Sequence, residues 1–135
     1  MRSREEVLAG VPLFSMLKPK ELKRLAAEAH DMAYPAGKSL TQTDELGATF
    51  FVVAEGALEV SVGGTPVRTL GPGDYFGEMA LIDHQARSAT IVATTECRCL
   101  VFSGWVFRPF ALEHPEVAWA LLERMVARVR EAESR

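Results

Sequence analysis

One short stretch of the chain, residues 77–90, carries two charged side chains suited to holding a small anionic ligand. It reads Gly-Glu-Met-Ala-Leu-Ile-Asp-His-Gln-Ala-Arg-Ser-Ala-Thr and places Glu78 nine residues before Arg87. An ionised glutamate only accepts hydrogen bonds, which suits a sugar hydroxyl, whereas an arginine can grip a phosphate through two parallel hydrogen bonds. The two residue types favour a ligand with both a hydroxylated sugar and a phosphate.

The backbone of this stretch also suits close contact with such a ligand. Glycines at positions 71, 73 and 77 let the chain turn sharply and come near a bound molecule. Residues 78–82 are long enough for one helical turn, whose free N–H groups attract an anion. The alternative is that the two charged side chains pair with each other or lie solvated on a loop.

The composition of the chain limits the classes of protein to which it can belong. The chain has 135 residues, 48% of them hydrophobic and 24% charged, which fits one globular domain. Its net charge of −3 argues against nucleic acid as the main partner, because phosphate-backbone binding needs a basic face. No apolar run approaches the roughly 20 residues that span a bilayer, and the N-terminal residues lack the apolar core of a signal peptide. We therefore expect no membrane segment and a cytoplasmic location.

The periodicity divides the chain into helices, then strands, then helices. Within residues 30–102, β-rich runs alternate with turn signals at intervals of about 8 to 12 residues, which favours a sandwich or barrel. The clearest runs are Thr49–Val53, Leu58–Val62, Pro66–Leu70, Ser88–Ala93 and Arg98–Phe102.

A long C-terminal helix is predicted from Pro115 to about Glu133. Its apolar residues recur at helical spacing, and three arginines near its end complement the helix dipole. The main stripe comprises Val117, Leu121, Met125 and Val129, and the arginines are Arg124, Arg128 and Arg130. The stripe could pack on its own domain, pair with a second copy or dock on a partner.

Neither the cysteines nor the histidines indicate a reactive or metal site. Cys97 and Cys99 lie two apart on a predicted strand, too close for an ordinary disulfide, so we expect two reduced thiols. His30, His84 and His114 are scattered, and none has a ligand partner at metal spacing. We predict no metal, no cofactor and no catalytic activity.

Residues 76–90 resemble the phosphate-binding cassette of the cyclic nucleotide-binding domain family. That cassette reads approximately Phe-Gly-Glu-apolar-Ala-Leu, a few variable residues, then Arg-small-Ala. This chain has Phe76-Gly77-Glu78-Met79-Ala80-Leu81 followed by Arg87-Ser88-Ala89. Leu70-Gly71-Pro72-Gly73-Asp74 is similar to the turn before the cassette, and Pro12-Leu13-Phe14 with Leu17 is similar to the N-terminal approach. The resemblance covers about residues 10–133.

The resemblance implies a mainly β fold with flanking helices: an eight-stranded antiparallel β-barrel or jelly roll, with N-terminal helices and two C-terminal helices. We expect a single domain over residues 1–135. It divides into a helical arm (1–29), the barrel (30–102) with its cassette (74–90), and the hinge and lid helices (103–135).

The resemblance also implies a role for each cassette residue. Arg87 would bind the exocyclic phosphate oxygens, Glu78 would accept from the ribose 2′-hydroxyl, and Gly77 would permit close approach. The remaining members of the predicted phosphate and ribose site, which line it or donate backbone N–H groups, are Met79, Ala80, Ser88 and Ala89.

The base would lie against a separate set of residues. Val60, Val67 and Leu70 would form its apolar wall, and the lid helix would contribute Arg128 first and Arg124 second, by stacking or cation–π contact. A hydroxyl at Ser88 leaves both cAMP and cGMP open, with cAMP favoured.

The resulting hypothesis is a non-catalytic cyclic nucleotide sensor that reorients its C-terminal helix on binding. Its expected partners are the cyclic nucleotide and, through that helix, a second copy or an effector protein; by itself the chain would bind neither nucleic acid nor membrane. Two alternatives stay open. The chain could be a fragment of a larger transcription regulator, channel or enzyme, or a degenerate domain that serves as an interaction scaffold.

Overall fold

A computed structural model describes residues 2–41, 49–83 and 89–134 of the protein, including its helices. They are α1 (Arg4–Ala9), a 3₁₀ helix (Pro12–Phe14), α2 (Pro19–Ala27), α3 (Glu78–Asp83), α4 (Gly104–Glu113) and α5 (Pro115–Glu133). The bounds of α5 are those expected from the sequence. None of these helices combines the length and hydropathy needed to cross a membrane.

The strands form two four-stranded antiparallel sheets. They are β1 (His30–Tyr34), β2 (Ser39–Thr41), β3 (Thr49–Glu55), β4 (Leu58–Val62), β5 (Thr65–Leu70), β6 (Tyr75–Phe76), β7 (Thr90–Ala93) and β8 (Cys97–Ser103). The first sheet has the order β1-β8-β3-β6 and the second the order β2-β7-β4-β5. The predicted mainly β jelly roll with flanking helices is confirmed. The closed barrel is corrected: the described strands pair within two separate sheets.

Strand β3 is the centre of the molecule because both of its faces are buried. Successive side chains on a strand point to opposite faces. Phe51 and Val53 therefore join the core between the sheets, whereas Phe50 and Val52 join the core under the helices. Burial on both faces explains why β3 reads as a continuous apolar run rather than an alternating one.

The C-terminal helices are anchored to the first sheet by an aromatic cluster. The ring of Phe107 on α4 stacks on Phe50 with centroids 4.0 Å apart, and it meets Phe14 edge-on at 6.3 Å. Val117 and Leu121 on α5 belong to the same core. The start of α5 is thus held by packing against α4 and the sheet.

The far half of α5 is not held in the same way. The predicted apolar stripe is buried only at Val117 and Leu121, whereas Val129 is 55% exposed. Leu122 and Val126 are also exposed. Beyond Leu121, no apolar side chain of α5 belongs to either buried core of the described residues.

Both cysteines are buried and free, as expected. Burial raises the pKa of the Cys97 thiol, and burial together with Cys97 raises the pKa of Cys99 to about 12. The thiols stabilise the fold below their unfolded pKa of about 9, and this contribution is lost as the pH rises from there toward 12.

We expect neither thiol to react with a disulfide reagent at pH 8 in the folded protein, and both to react in urea. Rapid labelling of the native protein would contradict this burial.

Gly56 provides a test of the turn between β3 and β4. It has φ +92°, and a Cβ there would lie 2.4 Å from the Glu96 carbonyl oxygen and 2.6 Å from the Cys97 Cβ. Gly37 has nearly the same φ, +90°, but a Cβ added there would meet no described atom within 4 Å beyond its chain neighbours. Gly37→Ala should lower the free energy of unfolding by about 1–2 kcal/mol through backbone strain. Gly56→Ala should cost about 3 kcal/mol or more, because the clash adds to the same strain. Equal losses in urea denaturation would rule out the clash.

Candidate ligand-binding site

The turn before the cassette is fixed to the central strand by backbone hydrogen bonds. Gly73 donates its N–H to the Val53 carbonyl at 3.0 Å, and Val53 donates to the Asp74 carbonyl at 2.9 Å. The Asp74 side chain in turn accepts from the Gly71 N–H at 2.8 Å. The cassette therefore starts from a position set by β3 rather than from a free loop.

Glu78 is positioned by a turn that joins strand β6 to helix α3. Phe76 stacks on Phe51 with centroids 4.5 Å apart, which holds the end of β6. Gly77 then adopts φ +97°, a conformation that L side chains rarely take, and α3 begins at the next residue. As a result, Glu78 directly follows the residue at which the chain turns from strand to helix.

Burial sets Glu78 apart from most other charged residues. It is only 4% exposed, and among the described residues Arg98 is the other buried charged side chain. Arg98 is bound by Asp31, whose carboxylate oxygens lie 2.5 and 2.6 Å from its guanidinium nitrogens and whose pKa is lowered by those hydrogen bonds. That pair joins β8 to β1 and serves the fold. Glu78 takes its partner from the end of the chain instead.

The partner of Glu78 is Arg128 on α5. The Nη1 group of Arg128 donates a charge-assisted hydrogen bond to Oε1 of Glu78. The same guanidinium lies 5.9 Å from the centre of the Tyr75 ring, within cation–π range. Burial, followed by the charge of Glu78, raises the pKa of Tyr75. This contact ties the far half of α5 to the cassette.

One polar atom of Arg128 remains without a partner among the described residues. Its Nε is buried and makes no hydrogen bond there. A buried N–H without an acceptor costs free energy, so the site offers a donor that a ligand could satisfy.

Arg68 lies close to the candidate site, and the sequence analysis did not name it. In the β4–β5 register, Leu58 pairs with Leu70 and Val60 pairs with Arg68, so these side chains share one face. Arg68 stays accessible to solvent, yet partial burial of its guanidinium lowers its pKa and the positive charge of Arg128 lowers it further. Counting back by two from the inward-facing Leu70 could have identified it.

The predicted base wall is brought together only in part. Val60 is buried in the core between the sheets, and Leu70 is buried at the edge of a cavity. Val67 lies at the register shift of the β4–β5 ladder, has no Cα partner there, and is 38% exposed. Arg68, two residues before Leu70, shares the face of Leu70, whereas Val67 does not lie on that row.

The other predicted cassette residues differ in how far they are described. Met79 lies exposed on α3, Ala80 belongs to the same helix, and Ala89 precedes β7 and is half-buried. Arg87 and Ser88 lie outside the described residues.

Two cavities adjoin the pair formed by Glu78 and Arg128. The first, of about 390 Å³, lies between the 3₁₀ helix, the turn before β6 and α5, and both Arg124 and Arg128 line it. The second, of about 320 Å³, lies between α3, α4 and α5, and Glu78 lines it together with mainly apolar side chains such as Phe107 and Leu121. Both volumes fall at the lower end of small-molecule pockets.

The buried pair can be tested by substitution. Arg128→Met keeps most of the side-chain length but removes the cation, so we expect the free energy of unfolding to fall by about 3 kcal/mol. Adding Glu78→Gln should recover much of that loss, because the buried carboxylate disappears. Arg124→Met, on the exposed surface of the same helix, should change stability by no more than about 0.5 kcal/mol. Equal effects of the two single arginine variants would show that the pair contributes nothing.

Comparison with known proteins places this arrangement in a family. The model for the cyclic nucleotide-binding domain matches residues 31–114. A cAMP-dependent protein kinase regulatory subunit from Aspergillus niger is 37% identical over 99 residues, which cover 72% of this chain and 24% of that protein. A cyclic nucleotide-gated potassium channel from Mesorhizobium japonicum is 37% identical over 113 residues, 84% of this chain and 31% of the channel.

A solved structure agrees with the sequence relatives. The cAMP-bound structure of PfPKA-R has a TM-score of 0.85 and 27% identity, with 96% of this chain and 45% of that chain covered. The chain thus spans a quarter to a third of the length of the two relatives above and about half of this one. The family match, the two-sheet fold and the buried glutamate after Gly77 agree, and the chain belongs to the cyclic nucleotide-binding domain family.

Proposed function

We propose that the chain is a non-catalytic sensor for cAMP whose C-terminal helix carries the signal. The observation that supports this best is the buried carboxylate of Glu78, presented directly after the positive-φ turn at Gly77. Arg128 pairs with Oε1 of this carboxylate, and a ribose hydroxyl is the kind of donor that its other oxygen can accept from. The related regulatory subunit is described as cAMP-dependent and PfPKA-R as cAMP-bound, which supports the choice of ligand.

The proposed pose assigns each part of the ligand to a separate group. Arg87 binds the exocyclic oxygens of the cyclic phosphate, and the N–H groups at the start of α3 add to this anion site. Glu78 accepts from the ribose 2′-hydroxyl through Oε2, because Oε1 already accepts from Arg128. The base lies near Leu70, Tyr75 and the lid arginines.

The charges around Arg68 favour an anionic ligand. Burial lowers the pKa of Arg68 most; the carboxylates of Glu78 and Glu131 oppose this shift, whereas the nearby cations Arg128 and Arg124 add to it. Arg68, Arg124 and Arg128 thus place three cations near one another. A cyclic phosphate carries one negative charge and would reduce the repulsion among them. The same reasoning disfavours an uncharged nucleoside.

The proposed switch uses the weakly held half of α5. Val117 and Leu121 fix its start, whereas the far half meets the cassette through Arg128. A ligand shifts such an equilibrium only if it binds two arrangements with different affinity. We infer that a base beside Tyr75 and Arg128 supplies the difference and draws α5 toward the cassette. The exposed side of α5 would then present its apolar side chains differently to a second copy or an effector protein.

Calorimetric titration with cAMP, cGMP and AMP tests the proposal. We expect cAMP to bind more tightly than cGMP, and AMP to bind poorly. Arg87→Ala should weaken cAMP binding about a hundredfold or more, because it removes two charge-assisted hydrogen bonds. Arg130→Ala, on the exposed end of α5, is the matched control and should leave the affinity unchanged.

The outcomes separate the alternatives. A loss of cAMP affinity below threefold in Arg87→Ala would overturn the proposed site. Tighter binding of cGMP than of cAMP would change the assigned ligand. No binding by the folded chain would indicate a scaffold. Amide exchange over residues 122–134 should slow on saturation with cAMP; unchanged exchange there would exclude the switch but not the binding.

A further inference from the structure

A second group of chemically capable side chains lies away from the nucleotide site, where α2 meets the junction of α4 and α5. Nδ1 of His114 lies 3.2 Å from Oε2 of Glu21 and 3.4 Å from Oε1 of Glu116. The three ligand atoms all lie within 4.8 Å of one another. Glu21 and His114 are 93 positions apart (114 − 21), so only the fold brings them together.

We propose that Glu21, His114 and Glu116 form a divalent transition-metal site, with Zn²⁺ as the representative ion. Ligand atoms held 2.0–2.1 Å from a tetrahedral zinc ion lie roughly 3.3–3.4 Å apart. The two separations from the His114 Nδ1 match that spacing, so an ion can bind with small movements of side chains. One imidazole and two carboxylates are a ligand set that suits zinc and its neighbours better than magnesium or calcium.

The surroundings hold at least two of the three ligands in place. The other carboxylate oxygen of Glu21 accepts from the Lys18 N–H at 2.8 Å, which leaves Oε2 directed to the cluster. The ring of His114 lies against Phe110, with centroids 4.4 Å apart. Such outer contacts fix ligand orientation and raise the affinity of metal sites.

The site also has room for a further ligand. The side chains of His114, Glu21 and Glu116 are 13%, 26% and 34% exposed, so the cluster is sheltered but reachable. A cavity of about 390 Å³ lined by Glu21 and His114 adjoins it. Three protein ligands with an open fourth position for water is a common arrangement for zinc.

A bound metal ion would fasten the start of α5 to α2 in the N-terminal arm. Glu21 belongs to α2, His114 is the residue between α4 and α5, and Glu116 lies in the first turn of α5. An ion shared among them would add metal bonds to the ion pairs that already join these elements. This inference does not rest on the proposed function, because none of the three residues lines the cavity at Arg128.

The test is titration of the untagged full chain with ZnCl₂ after removal of metal by chelation. We expect one ion per chain and a rise in melting temperature on binding. His114→Gln and Glu21→Gln should each weaken binding by about tenfold or more. Glutamine at position 21 can still accept from the Lys18 N–H, so the cap of α2 is kept. Glu116→Gln, the most exposed of the three positions, serves if either variant folds poorly.

Matched controls exclude other binding sites. His30→Gln and Glu28→Gln, both exposed, should leave zinc affinity unchanged. The Co²⁺ form should lack the intense thiolate charge-transfer band that Cys97 or Cys99 would produce. Absence of stoichiometric uptake, uptake unaffected by all three ligand variants, or a thiolate band would each overturn the site and leave the cluster as ion pairs.

Discussion

The arrangement of the site depends on one constraint: the carboxylate of Glu78 is buried and must have a cation beside it. Removing a carboxylate from water costs several kcal/mol unless pairing and hydrogen bonds compensate. The compensation seen here comes from Arg128, fifty positions further along, so the burial of one side chain determines where the far half of α5 lies. Glu78 at the start of α3 and the far half of α5 are thereby parts of one electrostatic unit.

The sequence predicted what is local or periodic. The Gly77-Glu78 step, the limits of α5 and the strands around β3 all follow from short-range patterns, and the structure has them. The closed barrel was wrong because closure depends on pairing between distant strands, which no local pattern records. The sequence left open what the apolar stripe of α5 packs against, and it is buried only at Val117 and Leu121, because periodicity indicates a helix face, not where the core beneath that face ends.

The candidate site shows the same division. Glu78 and Arg128 were each proposed as site residues from the sequence, but their direct pairing was not foreseen, because it joins positions on α3 and α5. Arg68 was missed because the sequence analysis placed Val67 and Leu70 on one face of β5, although residues on one face of a strand are two positions apart. Glu21 and His114 share no sequence signal at all. For both pairs the missing information is a contact between elements far apart in the chain.

The irregularity in β5 has a further effect on how the protein behaves in solution. β5 is an edge strand of its sheet, so its outer hydrogen-bonding groups are open to pairing with another chain. Pro66 lacks a backbone N–H, and the shift beside Val67 bends the strand locally. Pro66 and Val67 thus make this edge a poor template for added strands, which disfavours edge-to-edge pairing of β5 between copies of the chain.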